Sequence, residues 1–150
     1  MEAISHRDRP APLALIVDDE ALLALEIEDL LMAEGFRTQI AYTEAEVKTL
    51  VVEHLAVAVI DFSLGGELAG QRVIRFLRNR IPKLPVVVVT GYADQAPQAN
   101  LRGLGWPTIR LHKPARHEQL ACAVWDVIDQ ASHGAPPPNG RRRDEAGEGA

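Results

Sequence analysis

Val57-Ala58-Val59-Ile60-Asp61 decides how this chain reads: four apolar residues run directly into one carboxylate. Val59 and Ile60 are β-branched and the run is short, which predicts a strand buried on both faces. A carboxylate where such a strand leaves the core adds nothing to packing. In an open α/β sheet the ligand crevice lies outside the carboxyl ends of the strands. Asp61 is therefore the first candidate functional residue, and what matters next is what the other strand ends place beside it.

Toward the N-terminus, Leu13-Ala14-Leu15-Ile16-Val17 is a second apolar run, and it too ends in carboxylates, Asp18-Asp19-Glu20. The spacing predicts a helix from about Ala21 to Glu34, with Leu23, Ile27, Leu30 and Leu31 on one face and Glu26, Glu28 and Asp29 off it. Gly35 stops it as a C′ glycine does. Phe36 to Ala41 reads as a strand. Thr43 and Glu46 have capping-box spacing for a helix reaching about Glu53.

Toward the C-terminus, the glycine-bearing loop Phe62 to Gly66 leads into a predicted helix over 69–80 with Val73, Ile74 and Leu77 inward. Val86 to Val89 is the most β-prone run and ends at Thr90-Gly91. Ala93 to Gly105 is weakly periodic, carries Pro97, Gly103 and Gly105, and predicts a short or poorly formed helix. Thr108 to Leu111 is a last strand, followed by His112-Lys113-Pro114. A final helix is predicted from Arg116 to Gln130, with Leu120, Val124, Val127 and Ile128 inward. Strand and helix alternate five times, which argues a parallel sheet with helices on both faces.

The 150 residues suit one domain. Residues 1–12 read as a flexible lead-in, 13–131 as the domain, and 132–150 as a disordered tail rich in Pro, Gly and charge. A net charge of −5 argues against a nucleic-acid-binding domain, and direct DNA binding is not expected. Arg141-Arg142-Arg143 is followed at once by Asp144, Glu145 and Glu148, the pattern of a solvated tail. The lone Cys122 excludes an internal disulfide and a cysteine-rich metal site. No apolar run approaches a membrane span, and Met1 to Pro10 lacks the apolar core of a secretory signal, so the expected location is the cytoplasm.

A parallel sheet would bring Asp18, Asp19, Asp61, Thr90 and Lys113 to one edge. Three carboxylates there repel each other, so a cation must sit among them or some must take up protons. Carboxylate oxygens and water suit Mg²⁺. A carboxylate can attack phosphorus to give an aspartyl phosphate, a transfer that needs positioning and charge neutralisation. Mg²⁺ would neutralise one phosphoryl oxygen, Lys113 a second, and the Thr90 hydroxyl would donate to a third. Taken singly, each residue has a plainer role: Asp18 or Asp19 as a helix cap, Thr90 as a turn residue, Lys113 as a surface lysine, Asp61 in an Asx-turn. The set carries the reading.

At these residues the chain resembles the receiver domain of bacterial two-component response regulators, the CheY-like, single-domain type. The resemblance covers about Leu13 to Gln130 and rests on Val17-Asp18-Asp19-Glu20, Ile60-Asp61, Val89-Thr90-Gly91 and Lys113-Pro114. It implies a flavodoxin-like, doubly wound sheet of order 2-1-3-4-5. It implies that Asp61 accepts phosphate from a histidine kinase or histidine phosphotransfer protein. The domain would catalyse its own phosphorylation and dephosphorylation without being an enzyme of metabolism. By the same resemblance Asp19 ligates Mg²⁺ directly and Asp18 mostly through water, Asp61 and the Ser63 backbone carbonyl complete the protein ligands, and the bond before Pro114 is cis.

The chain departs from the family in three places. The usual Met-Pro pair after the phosphorylated Asp is replaced within Ser63-Leu64-Gly65-Gly66. Arg110 stands where an aromatic often swings inward with the threonine, and Gly91 stands where Ala is usual. The loop and Thr90-Gly91-Tyr92 resemble stand-alone receivers and those attached to histidine kinases. The output would be a switch, a relay intermediate or a phosphate sink, in a single-domain protein or a piece of a longer one, and a homodimer is left open. Leu22, Leu25 and Met32, off the inner face of the first helix, are candidates for a kinase-docking patch. The alternatives are a phosphatase of the haloacid-dehalogenase type, against which Glu20 stands where its second Asp belongs, and a pseudo-receiver with a silent site. A flavodoxin-like cofactor binder ranks below both, because carboxylates occupy its phosphate-cradling turn.

Overall fold

The computed structural model describes residues 10–50, 53–65, 68–91 and 100–134. The expectations for a flexible lead-in and a disordered tail fall largely outside these residues, as does most of the segment expected to form a weak helix; its described part, from residue 100, is turns. The elements are β1 (Leu13–Val17), α1 (Ala21–Ala33), β2 (Arg37–Ala41), α2 (Glu44–Lys48), β3 (Leu55–Asp61), α3 (Ala69–Arg80), β4 (Val86–Thr90), β5 (Thr108–His112) and α4 (His117–His133). All pairings are parallel, in the order β2-β1-β3-β4-β5. This is the doubly wound, flavodoxin-like sheet that the alternation and the resemblance imply.

The strands alternate between two cores. Leu15, Val17, Ala58, Ile60, Val86 and Val88 pack with α3 and with Val47 of α2. Ala14, Ile16, Val57, Val59, Val87 and Val89 pack with α1 and α4. Side chains reverse at each residue along a strand. Asp18 continues the parity of Ile16, and Asp61 that of Val59, so both carboxylates emerge on the α1/α4 side.

Several boundaries differ from the sequence expectation. α2 ends at Lys48 rather than near Glu53, because the Thr49 hydroxyl donates to the Glu46 carbonyl and closes the turn (2.7 Å). Thr43 caps it as expected, but Glu46 accepts from the Tyr42 amide (2.6 Å), one residue before the cap, so the box is not reciprocal. α4 continues past Gln130 to His133, where Gly134 closes it by donating to the Gln130 carbonyl. Gly35, with φ of 102°, ends α1 as predicted. α3 starts close against the loop after β3, since a Cβ on Gly70 would lie 2.5 Å from Phe62 Cδ1.

Candidate functional site

The acidic strand ends meet at one rim. Oxygens of Asp18, Asp19 and Asp61 lie within 4.8 Å of one another, with Asp18 and Asp61 buried and Asp19 exposed. Lys113 Nζ is 3.2 Å from Asp61 Oδ1, and its side chain is only 28% exposed. Thr90 is fully buried at the end of β4, and its carbonyl accepts from the Lys113 amide (2.8 Å). That bond ties the last two strand ends together. Asp18, Asp19, Asp61, Thr90 and Lys113 therefore all stand at the carboxyl ends of parallel strands along one rim, and the Lys113-Pro114 bond is cis.

Neither Asp18 nor Asp19 caps α1; its N-cap is Glu20, without a side-chain cap bond. Lys113 is ion-paired rather than freely solvated. Asp61 does make the Asx-turn, accepting at Oδ1 from the Ser63 amide (2.9 Å), and the turn coexists with the lysine contact.

The loop after β3 contributes two groups that the sequence reading did not assign. The Ser63 hydroxyl donates to Asp61 Oδ1 (2.7 Å) and accepts from Lys113 Nζ at 3.4 Å. The Gly65 amide donates to Asp19 Oδ2 (3.1 Å). A serine two residues beyond an aspartate is the available signal for the first contact, because that offset lets its amide and hydroxyl reach back. The second depends on a loop fold that no local pattern announces. Arg110, at the place of the family's usual aromatic, is half-buried on β5 opposite Val88.

Electrostatically the rim is short of positive charge. Burial pushes the Asp18 carboxyl up to about 6, the nearby Asp61 charge adds to the rise, and the Glu20 amide and Lys113 oppose it. Three carboxylates that share one lysine are an all-oxygen donor set for a hard cation. One of them strains to stay ionised without further positive charge, so the residues present fit a divalent metal.

Beneath this rim, between α1 and α4, lies a cavity of about 300 Å³. Asp18, Asp61 and Lys113 edge it, and Leu23, Ile27 and Leu120 form its helical walls.

Comparison with known proteins agrees with this geometry. The family model described as the response regulator receiver domain matches residues 14–124. The acid tolerance regulatory protein ActR of Sinorhizobium medicae is 33% identical over 128 residues, covering 83% of this chain and 62% of ActR. The photosynthetic apparatus regulatory protein RegA of Rhodobacter capsulatus is 32% identical over 125 residues, 83% of this chain and 65% of RegA. The chain thus spans less than two thirds of the length of these curated relatives. Among solved structures, a response regulator protein from Burkholderia pseudomallei with a phosphorylated aspartic acid, calcium ion and citrate superposes with a TM-score of 0.65. It is 26% identical, covering 81% of this chain and 71% of that one. On its strand order, its rim of carboxylates and these matches, the chain belongs to the response regulator receiver domain family.

Proposed function

We propose that Asp61 accepts a phosphoryl group from a histidine kinase or histidine phosphotransfer protein, and that the domain serves as a signalling switch, relay intermediate or phosphate sink. The observation that carries this is the rim itself: one buried carboxylate held 3.2 Å from an ammonium and within 4.8 Å of two further carboxylates. A phosphorylated aspartate in the Burkholderia pseudomallei relative supports the same chemistry. Asp18, Asp19, Asp61 and the Ser63 carbonyl would hold Mg²⁺, which when bound neutralises charge on phosphoryl oxygens. Lys113 neutralises a second oxygen and the Thr90 hydroxyl donates to a third. Asp61 supplies the attacking oxygen.

The donor protein must reach this rim. Leu22, Leu25 and Met32 are 77%, 45% and 56% exposed on the outer stripe of α1, which begins four residues after β1 ends. We assign them to the kinase contact. Leu25→Asp should slow transfer from the cognate kinase about tenfold or more while leaving phosphorylation by a small donor intact; equal transfer rates would remove this assignment. Among the described residues no helix is long and apolar enough to cross a membrane, and we place the protein in the cytoplasm.

Intact mass after incubation with acetyl phosphate and Mg²⁺ tests the central claim. Wild type should carry one phosphate and Asp61→Asn none. An adduct that persists in the variant, or steady turnover of a phosphate ester without an adduct, would overturn it.

A further inference from the structure

The two helical layers carry opposite charge. On one side of the sheet, α1 and α4 hold six carboxylates, Glu26, Glu28, Asp29, Glu118, Asp126 and Asp129, and neither helix contains a Lys or Arg. On the other side, α3 holds four arginines and no carboxylate. Arg78 is buried, and Arg72 is engaged by Glu44 of α2. Arg75 and Arg80 are exposed on the outer face of α3, with Lys83 exposed just beyond its end. The Arg80 guanidinium lies over the half-buried Phe76 ring, 4.0 Å from its centroid, so this layer presents a cation fixed on an aromatic face.

The acidic layer adds apolar surface to its charge. Leu22, Leu25, Asp29 and Met32 recur at three- and four-residue spacing, so they form one outward stripe of α1. Trp125, 42% exposed on α4, is tied to the end of that helix by donating to Glu34 (2.8 Å). The two layers cannot neutralise each other within one molecule, because the sheet and both cores lie between them. Between molecules they match. A nucleic acid or an anionic membrane would also suit the basic layer, but the net charge of −5 and the acidic layer of the same domain repel it.

We propose that the domain self-associates head to tail, with the α3 face of one copy seated on the α1–α4 face of the next. Such a contact is heterologous, so it builds chains or rings rather than a closed symmetric dimer. Its charges are exposed, which makes it weak and sensitive to salt. On the kinase assignment above, a second copy on the α1 stripe and a kinase on it exclude one another.

Sedimentation of the full chain tests the contact. At low salt the weight-average mass should rise with protein concentration. NaCl at about 1 M, which shortens the screening length to about 3 Å, should return it to the monomer. Arg75→Gln with Lys83→Gln, and separately Asp29→Asn with Asp126→Asn, should each weaken association roughly fivefold or more. Mixing the two variants should restore a contact of wild-type strength that stops at the 1:1 dimer, since one intact face of the pair remains on each partner. Wild type that stays monomeric at low salt overturns the proposal; if it is then held by heparin more tightly than the Arg75→Gln, Lys83→Gln variant, the basic layer belongs to a polyanion. Association that is unchanged in either variant, or that mixing does not restore, overturns it as well. Sedimentation does not depend on phosphate at Asp61, so failure here leaves the phosphoacceptor reading standing.

Discussion

The two ends of the sheet both bury charge and treat it in opposite ways. At the entry end, the Arg78 guanidinium of α3 is buried and donates to the carbonyls of Leu84 (2.8 and 3.2 Å), Leu104 (2.8 Å) and Pro107, and to the Thr108 hydroxyl (3.0 Å). Burial pulls it down to about 10, still charged at neutral pH. No carboxylate among the described residues pairs with it; neutral oxygens saturate its donors. At the exit end, Asp18 and Asp61 are buried beside Asp19 with Lys113 as their cation, and Asp18 is pushed up to about 6. A buried charge whose hydrogen bonds are satisfied holds structure together; one left short of countercharge is disposed to bind.

Removing the satisfied charge should have the largest effect. Arg78→Met strands several carbonyls around the entries of β4 and β5, and should cost on the order of 3–5 kcal/mol. That corresponds to a fall in Tm of roughly 10–20 °C. Divalent-cation affinity of the folded fraction should stay within about twofold. A stable variant would mean that water replaces the guanidinium at little cost.

Asp18→Asn should move stability the other way. The folded pKa of Asp18 lies above its unfolded value, so its contribution is full below about pH 4 and is lost as pH rises through about 6. Without divalent cation near pH 7, the variant should therefore gain on the order of 1–3 kcal/mol, a gain that vanishes at pH 4. Mg²⁺ should raise the Tm of wild type and raise that of the variant much less. Urea unfolding at the two pH values, with and without Mg²⁺, reads all of this. A variant less stable than wild type at pH 7 would show that the rim is not short of positive charge. The smallest effect is expected at the surface. Arg72 makes bidentate contacts to Glu44 (2.9–3.1 Å) in solvent, and Arg72→Ala should leave Tm unchanged within error in physiological salt.

Much of this contrast is legible in the chain, but unevenly. The exit rim can be read because its residues stand at or just past the ends of short strands, and parallel strands bring like ends together. The entry end is harder. Arg78 follows Ile74 and Leu77 at helical spacing and so falls on the inward face of α3, yet its acceptors are carbonyls from a distant turn that carry no residue signature. The boundary differences have the same character. α2 and α4 end where single hydrogen bonds at Thr49 and Gly134 close them, and propensity locates such ends only loosely.

What this sequence determined by itself was the fivefold alternation of short strands with helices, and hence a parallel sheet with Asp18, Asp19, Asp61, Thr90 and Lys113 along one rim. That follows because periodicity and chain direction are local properties. Only the tertiary structure decided how charge is shared at that rim, how the Ser63 hydroxyl and the Gly65 amide enter it, and how much space separates α1 from α4. Those depend on distances between segments remote in sequence, which burial and packing set together and no single segment encodes.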